Sequence, residues 1–373
     1  MKICHISTVH YTYDTRIYFK YIKSSLKKNI SIDYITTFKG EKALSDKVNF
    51  LYLEDKKGIW GRIKKNIQAY NYARKTKANI IHFHDPELIF ICMALKVFHR
   101  KKIIYDIHEL YHDAIMHKEN LNKFLRIFFS TSYRIIEKVF IRFFDLLVLA
   151  EDKYSDHYLK YNYILMRNYI NSNEIIENIK KYNNINFINF VHLGSITKAR
   201  GIYEIVDFAK VLGPHLNFKI NMIGPFYNSK LESKIKFIID KNKLNNYFNF
   251  HGIVHNENAL QMIESSDFGL CFLHPIQNNK NSIVTKFFEY MSKSLPTIAT
   301  DIPLWNDFFE SNKCGLNIDI FNLEGELEKI LLFLKDMDKI NMLKKDMVCS
   351  VSKFTWDVEF SKILKEYEKN DKK

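Results

Sequence analysis

A lone acid and a lone base stand one helical turn apart in the stretch TKFFEYMSKSLPTIATD, from Thr285 to Asp301. Glu289 follows Lys286 by three residues, and aromatic and apolar residues flank both. Three interpretations are open: a solvated i, i+3 ion pair, a carboxylate stabilised by a helix N-terminus, or two groups that hold a ligand. An exposed pair would add little stability. A partly buried carboxylate needs hydrogen-bond donors, and the vicinal hydroxyls of a ribose supply two.

Two glycine-containing loops follow strand-like runs upstream of this stretch. In HLGSITKARGIYE (192–204) a glycine follows a strand, and Arg200 stands where the next helix opens. A helix N-terminus with an arginine is suited to bind phosphate, although a solvated arginine beside a turn glycine gives the same pattern. In MIGPFYN (222–228) the strand breaks at Gly224-Pro225, where a flat ligand could approach the backbone. Taken by itself, that stretch is better explained by an ordinary strand-to-helix turn.

Histidines mark two strand ends in the first half, in IIHFHDPEL (80–88) and IIYDIHELYHD (103–113). His82 and His84 alternate along a strand and therefore share one face. A metal centre could be drawn from five residues of these segments: His82, His84, Asp85, His108 and His112. The alternative, which we favour, is that His108 and the adjacent Glu109 hydrogen-bond a substrate at a strand tip.

Short β-branched runs alternate with helix-length amphipathic segments, which is typical of parallel α/β layers. The predicted strands of the first half are 2–7, 31–36, 49–53, 79–84, 102–108 and 146–150. Those of the second half are 187–194, 218–224, 248–252, 268–273, 296–301 and 315–319. The sequence therefore predicts two doubly wound sheets in series, joined near 165–185, with ligands at the carboxyl ends of the strands.

The net charge of +14 is concentrated in the first half of the chain. Residues 1–170 hold 30 Lys and Arg against 17 Asp and Glu, whereas residues 171–373 hold 26 against 25. Such asymmetry favours a polyanionic partner. The segment 122–144 predicts a basic amphipathic helix, which could lie in an anionic membrane surface or be a core helix with snorkelling arginines. Nucleic acid is the weaker candidate, because no module signature for it occurs.

Cysteine usage and hydropathy indicate in which cellular compartment we expect the protein. The five cysteines are scattered without a CxxC pair, which favours a reducing environment. The N-terminal residues lack the apolar region of a signal peptide, and no apolar run reaches the length of a membrane span. We therefore expect a cytoplasmic protein.

In order and spacing, these motifs resemble a retaining GT-B glycosyltransferase of family 4, from a bacterial surface-polysaccharide branch. HFHDPEL with YDIHE, and DTRIYFK at 14–20, resemble that branch. HLGSITKARGI resembles the family's phosphate loop, and SDFGLCFLHP with the opening stretch resembles its E-x7-E region. The resemblance implies two Rossmann-like domains facing across a cleft. We expect an acceptor-binding domain at 1–170, a nucleotide-sugar domain at 171–353, and a helix at 354–369 that packs back on the first domain.

Roles for individual residues follow from the resemblance. It implies that Arg200 and Lys286 stabilise the donor diphosphate, that His108 contacts the sugar, and that Glu289 holds the ribose. The remaining donor-binding candidates are Gly194, Ser195, Gly224, Pro225, Asn281 and Ser282. The acceptor-binding candidates are Asp14, Arg16, Asp85 and Glu109.

The sequence departs from the family pattern at two positions. Asn281 stands where the first glutamate of E-x7-E is usual, and Ser195 stands where the phosphate-loop arginine is usual. The expected activity is transfer of a hexosyl or N-acetylhexosaminyl group from a nucleotide sugar, UDP-linked rather than GDP-linked, without a metal. The expected acceptor is a polyprenyl-diphosphate-linked glycan at the inner face of the plasma membrane. The alternatives are a non-catalytic nucleotide-sugar-binding relic and a metal-dependent hydrolase that uses His82 and His84.

Overall fold

The computed structural model describes residues 1–10, 12–37, 47–55, 58–116, 122–183 and 186–371, without the side chains of Asn256, Glu257 and Asn278. The chain divides into two compact units. Unit 1 comprises Met1–Asn168 and Trp356–Lys373, and unit 2 comprises Tyr169–Thr355. None of the described helices is both long enough and apolar enough to cross a membrane.

Unit 1 is built on a parallel sheet of seven described strands in the order β3-β2-β1-β4-β5-β6-β7. The strands are β1 Lys2–Ile6, β2 Ser31–Thr37, β3 Val48–Leu53, β4 Ile80–Phe83, β5 Lys102–Ile107, β6 Leu146–Leu149 and β7 Tyr163–Leu165. The central strands are buried along nearly their whole length because the sheet is covered on both faces. The strand order reverses between β1 and β4, so the switch point of the sheet lies there.

The helices of unit 1 cover both faces of this sheet. They are α1 Lys23–Lys27, which continues a π-helical turn at Ile17–Ile22, α2 Gly58–Lys75, α3 Ile89–His99, α4 Tyr111–Met116, α5 Lys123–Phe140 and α6 Ser155–Tyr158. The C-terminal helix, numbered α15 below, spans Trp356–Asp371 and also belongs to unit 1. Its Trp356 and Tyr367 are fully buried in the core that contains Tyr21. The last helix of the chain is therefore part of the first unit's core.

Unit 2 repeats the architecture with six described strands in the order β10-β9-β8-β11-β12-β13. The strands are β8 Ile188–Leu193, β9 Phe218–Ile223, β10 Phe248–Gly252, β11 Phe268–Cys271, β12 Thr297–Thr300 and β13 Gly315–Ile318. The helices are α7 Ile202–Leu212, α8 Ser229–Lys241, α9 Asn256–Glu264, α10 Gln277–Asn281, α11 Thr285–Ser292, α12 Pro303–Asn312, α13 Leu323–Lys335 and α14 Met337–Val351. The switch point of this sheet lies between β8 and β11.

The twelve predicted strands are all confirmed, and β7 is an additional one. The ladder between β8 and β11 is short: it pairs Phe268 with Phe190 and Gly269 with Val191. Beyond those pairs β8 continues along β9 and β11 continues along β12. The two strands thus separate at their carboxyl ends, which opens the crevice where such sheets bind ligands.

Candidate functional site

Two cations converge on the backbone at the crevice of unit 2. Gly194 follows β8 with φ +120°, a conformation that side-chain-bearing residues rarely adopt. A Cβ placed there would lie 2.4 Å from Nη1 of Arg200 and 3.2 Å from Nζ of Lys286. The structure therefore brings together the predicted loop glycine and both predicted phosphate-binding cations. Only a residue without a side chain leaves room for this arrangement.

Burial and the proximity of two like charges determine the electrostatics of this crevice. Among the described residues, neither Arg200 nor Lys286 lies within ion-pair distance of a carboxylate. Burial, and next the charge of Arg200, lower the pKa of Lys286, while Cys271 and Glu289 act in the opposite direction. Burial, followed by the charges of Lys286 and Arg200, lowers the pKa of the buried His192 to about 3. Two like charges held close together, with lowered pKa values beside them, are a pattern typical of functional sites.

The loops after β8 and β9 touch at two glycines. Gly224 has φ +143°, and a Cβ there would lie 2.0 Å from the carbonyl oxygen of Gly194 and 3.0 Å from the amide nitrogen of Ser195. The amide of Ile196 donates to the carbonyl of Pro225 at 2.9 Å. Four of the predicted donor-binding residues therefore lie together, and the close approach of the two backbones requires a glycine at position 224.

The remaining donor candidates lie around α11. Glu289 is one turn beyond Lys286 and is partly buried. Asn281 ends α10, and Ser282 caps it with an extended backbone. The indole N–H of Trp305 donates to the carbonyl of Ser282 at 2.9 Å, which fixes the segment between the two helices. Asn281 and Ser282 follow the loop after β11 and precede α11, the helix that carries Lys286 and Glu289.

A cavity of about 370 Å³ lies at the switch point of unit 1. Its acidic, basic and imidazole-bearing lining residues are His10, Arg62, His84, Asp85, Glu87, Asp106, His108 and Glu109. Of the residues predicted for unit 1, His108, Asp85 and Glu109 therefore line this cavity. Asp14 and Arg16 are not among its lining residues.

Asp14, Arg16 and Asp85 form hydrogen bonds with other residues of unit 1. Asp85 accepts at one carboxylate oxygen from the amide of Thr8 at 2.6 Å and the hydroxyl of Ser7 at 2.9 Å, which holds the turn after β1. Asp14 accepts from the amide of Arg16 at 2.8 Å and so opens the π-helical turn. The buried guanidinium of Arg16 donates twice to Asp106, at 3.0 and 2.8 Å. These contacts are structural.

Asp106 and His10 are site residues that the sequence analysis missed. Burial alone would raise the pKa of Asp106, but Arg16, His108 and His84 hold it well below its usual range. His108 has its Nδ1 3.4 Å from this carboxylate and its Nε2 3.2 Å from Nε2 of His10. Asp106 stands in YDIHE, two residues before His108, and that spacing places both on one face of β5 and its extension.

His10 lies between two carboxylates. Its Nδ1 is 3.2 Å from Asp14 and its Nε2 is 3.3 Å from Asp85. Burial lowers the pKa of His10, but the hydrogen bond to Asp14, together with the charges of Asp85 and Asp106, outweighs burial and raises it. The raised pKa favours the protonated form of the His10 ring, which faces His108 inside the cavity. The i, i+4 spacing of His10 and Asp14 was the available sequence signal.

His82 and His84, the residues of the alternative metal-dependent interpretation, are both buried. His82 Nδ1 lies 2.6 Å from the hydroxyl of Tyr367, and His84 lies 3.0 Å from both Asp106 and His5. The ligand atoms of His5, His82 and His84 lie within 4.8 Å of one another. Burial lowers the pKa of all three imidazoles. A hydrolytic metal needs a coordination position open to water and substrate, and these enclosed rings do not supply one.

Residues 172–347, which lie in unit 2, match the family model described as "Glycosyl transferases group 1". A comparison with curated protein sequences finds no match. Solved structures match over nearly the whole chain. Sucrose-phosphate synthase from Thermosynechococcus elongatus has a TM-score of 0.73 and 13% identity, and the match covers 99% of this chain and 98% of that one.

Two further solved structures give the same result. Anabaena HepE, in complex with UDP-glucose, has a TM-score of 0.71 and 12% identity, with 99% of this chain and 100% of that chain covered. WaaG, a glycosyltransferase involved in lipopolysaccharide biosynthesis, has a TM-score of 0.68 and 12% identity, with 94% and 95% covered. At these identities the likeness shows the fold. The predicted fold class, two doubly wound α/β units of the GT-B type, is confirmed.

Proposed function

We propose that this chain is a retaining glycosyltransferase that moves a sugar from a UDP-sugar to a lipid-linked glycan of bacterial surface polysaccharide. The observation that carries the proposal is the convergence of Arg200 and Lys286 on Gly194 without a carboxylate partner among the described residues. The diphosphate of a nucleotide sugar supplies the missing negative charge. The segment that matches the glycosyltransferase family model contains all three residues.

The proposed chemistry follows from where charge develops. When the bond between the sugar carbon and the diphosphate oxygen breaks, negative charge grows on that oxygen. Arg200 and Lys286 stabilise it, with the partial positive charge at the N-terminus of α7 beside them. The acceptor oxygen attacks the same face of the sugar, and its proton passes to the departing phosphate oxygen. Positive charge is thus supplied by side chains, and the proposal includes no metal.

Glu289 and His108 keep the roles that the family resemblance implies. Glu289, one turn from Lys286, accepts hydrogen bonds from the ribose hydroxyls. His108, whose Nδ1 lies 3.4 Å from Asp106 and whose Nε2 lies 3.2 Å from His10, contacts the transferred sugar at the edge of the unit 1 cavity. Asn281 provides an amide toward the transferred hexosyl or N-acetylhexosaminyl group. A uridine nucleotide is preferred by analogy with HepE, whose structure contains UDP-glucose.

A thermal-shift panel of UDP, GDP, ADP and their sugars tests the proposal. A nucleotide at 100 times its Kd should stabilise the protein by about 2.7 kcal/mol. Arg200→Gln should abolish this shift, whereas Lys236→Met should retain it, because Lys236 pairs with Glu232 on the surface of α8. The absence of a shift with every nucleotide would contradict the proposal. Binding without release of sugar from the bound donor would instead identify the non-catalytic relic that Asn281 and Ser195 suggest.

The acceptor proposal rests on the surface of unit 1. On α5, Phe124, Phe128 and Ile135 are 85%, 63% and 60% exposed. Basic residues accompany them along the helix and its extension: Lys123, Arg126, Arg134, Lys138 and Arg142. An exposed apolar stripe with basic neighbours binds an anionic membrane surface, where a polyprenyl-linked acceptor is located. We therefore propose peripheral contact with the inner face of the plasma membrane.

Flotation with liposomes tests this contact. We expect binding to vesicles that contain phosphatidylglycerol at low salt, weaker binding at high salt, and little binding to phosphatidylcholine alone. Phe124→Ser combined with Phe128→Ser should remove it. Phe237→Ser is the matched control, because Phe237 is 66% exposed on α8 of unit 2. No binding to anionic vesicles at low salt would overturn the membrane proposal and leave the donor proposal intact.

A further inference from the structure

Tyr290 hydrogen-bonds the strand that leads into the phosphate loop. It lies on α11 and is fully buried. Its phenolic oxygen accepts from the amide of Leu193 at 3.0 Å. Its own hydrogen points between the carbonyl oxygens of Val191 and Leu270, at 3.4 and 3.5 Å. One hydroxyl therefore contacts both strands that border the crevice of unit 2.

This hydroxyl lies where the β8–β11 ladder stops. The last paired residues are Gly269 and Val191, and Leu193 lies two residues beyond on β8. A Cβ on Gly269 would lie 2.7 Å from two atoms of the Tyr290 ring, so the glycine provides the space for the ring. The phenol thus satisfies backbone groups that a continued ladder would have satisfied. It also holds the two strands apart at a fixed spacing.

The position of Tyr290 in the chain connects this contact to the candidate site. Leu193 directly precedes Gly194, and Lys286 and Glu289 lie four and one residues before Tyr290 on the same helix. A single hydrogen bond therefore joins the loop that carries Arg200 to the helix that carries Lys286. Arg200 and Lys286 repel each other in the absence of an anion, so a fixed contact is needed to keep them close.

We propose that Tyr290 is a positioning residue that sets the spacing between Arg200 and Lys286 and thereby the affinity of the crevice for a diphosphate. Gly269 is its structural counterpart, because it leaves room for the ring. The proposal rests on the proposed function only in taking the bound anion to be a diphosphate. Tyr290 itself acts through the loop and the helix and makes no contact with the anion.

Tyr290→Phe removes the hydroxyl and keeps the ring. Tyr182→Phe is a matched control in the same unit, because the buried Tyr182 hydroxyl donates to the carbonyl of Leu334 at 3.0 Å. Calorimetric titration with inorganic pyrophosphate and with UDP should show Kd values about tenfold weaker for Tyr290→Phe and unchanged for Tyr182→Phe. Both variants should lose comparable stability, since each loses one buried hydrogen bond. Affinity, unlike stability, therefore separates positioning from a purely structural role.

Gly269→Ala perturbs the same contact from the other side and should weaken binding in the same direction. Wild-type-like Kd values in Tyr290→Phe, or equal losses of affinity in both tyrosine variants, would overturn the positioning role while leaving the proposed function in place. Failure of the wild-type chain to bind either pyrophosphate or UDP would overturn both.

Discussion

Lys286→Met should make the protein more stable and less active. Methionine keeps a long unbranched side chain and removes the charge. Arg200 Nη1 and Lys286 Nζ lie 2.4 and 3.2 Å from one point above Gly194, so the two nitrogens are at most about 5.6 Å apart. At an effective dielectric constant near 20, two unit charges at that distance repel by about 3 kcal/mol. Both side chains are partly exposed, and screening reduces the expected gain to roughly 1 kcal/mol.

The effect on the reaction should have the opposite sign. Loss of one preorganised cation facing the leaving group costs about 2–4 kcal/mol of barrier, or roughly 30- to 1,000-fold in kcat/KM. The gain in stability corresponds to a rise of roughly 2–4 °C in the Tm of unit 2. Differential scanning fluorimetry and a donor-turnover assay measure the two quantities on the same samples. Lys236→Met should change neither.

The pH dependence of stability gives an independent check. Because the pKa of Lys286 is lowered in the folded state, the unfolded chain binds more protons at alkaline pH. The stability of the wild-type protein should therefore rise relative to Lys286→Met as pH increases toward the ordinary lysine pKa. A Lys286→Met variant that melts earlier and keeps its turnover would refute the reasoning, because it would make Lys286 a structural cation.

Three further changes test other parts of the structure. Gly194→Ala should abolish the nucleotide-induced thermal shift and destabilise unit 2 by about 1–3 kcal/mol, since φ is +120° and the Cβ meets Arg200; an intact shift would contradict the convergence. In the wild-type protein His10 contributes stability that is fully present below the ordinary histidine pKa and is lost as pH rises through the raised pKa of His10. His10→Gln should remove this contribution, which urea unfolding between pH 5 and 8 would measure. An unchanged pH profile of stability would count against the Asp14–His10–Asp85 contacts. Trp356→Ala should cost about 3–5 kcal/mol in the unfolding of unit 1, because Trp356 is fully buried and donates to Ser24 at 3.0 Å; a loss below 1 kcal/mol would show that α15 contributes little to that core.

The alternation of strands and helices was readable from the sequence because buried parallel strands are short, continuous apolar runs. LLVLA at 146–150 and FGLCFL at 268–273 are of this kind, and both correspond to strands of the structure. The exception is β7, Tyr163–Leu165, which has three residues, lies at the sheet edge and is only partly buried. Nothing in such a segment distinguishes an edge strand from a connection.

The sequence analysis identified candidate site residues only where a charged side chain faces a crevice or cavity. Arg200 and Lys286 were identified because a cation at a strand end or in an aromatic helix needs an explanation. Tyr290 and His192 lie in apolar runs of the sequence. Their hydrogen-bond partners depend on the separation of β8 from β11, which the sequence does not show. Asp85 and Arg16 show the converse, because a predicted polar residue can be held by the backbone of another segment, as Asp85 is by Thr8, or by a buried side chain, as Arg16 is by Asp106. Sequence gives the position of such a group but not its partner.

The charges of the two units point to different ligands. The crevice of unit 2 brings two cations together without a carboxylate partner among the described residues, although residues 171–373 are nearly neutral overall. The cavity of unit 1 is lined by Asp85, Glu87 and Glu109, although residues 1–170 carry the excess of basic groups. The proposed anion-binding site and the basic excess are therefore separate features. The excess basic residues of the first half that do not line the cavity favour contact with an extended anionic surface. The cavity itself is rich in carboxylates and imidazoles, which favours a ligand with hydroxyl groups.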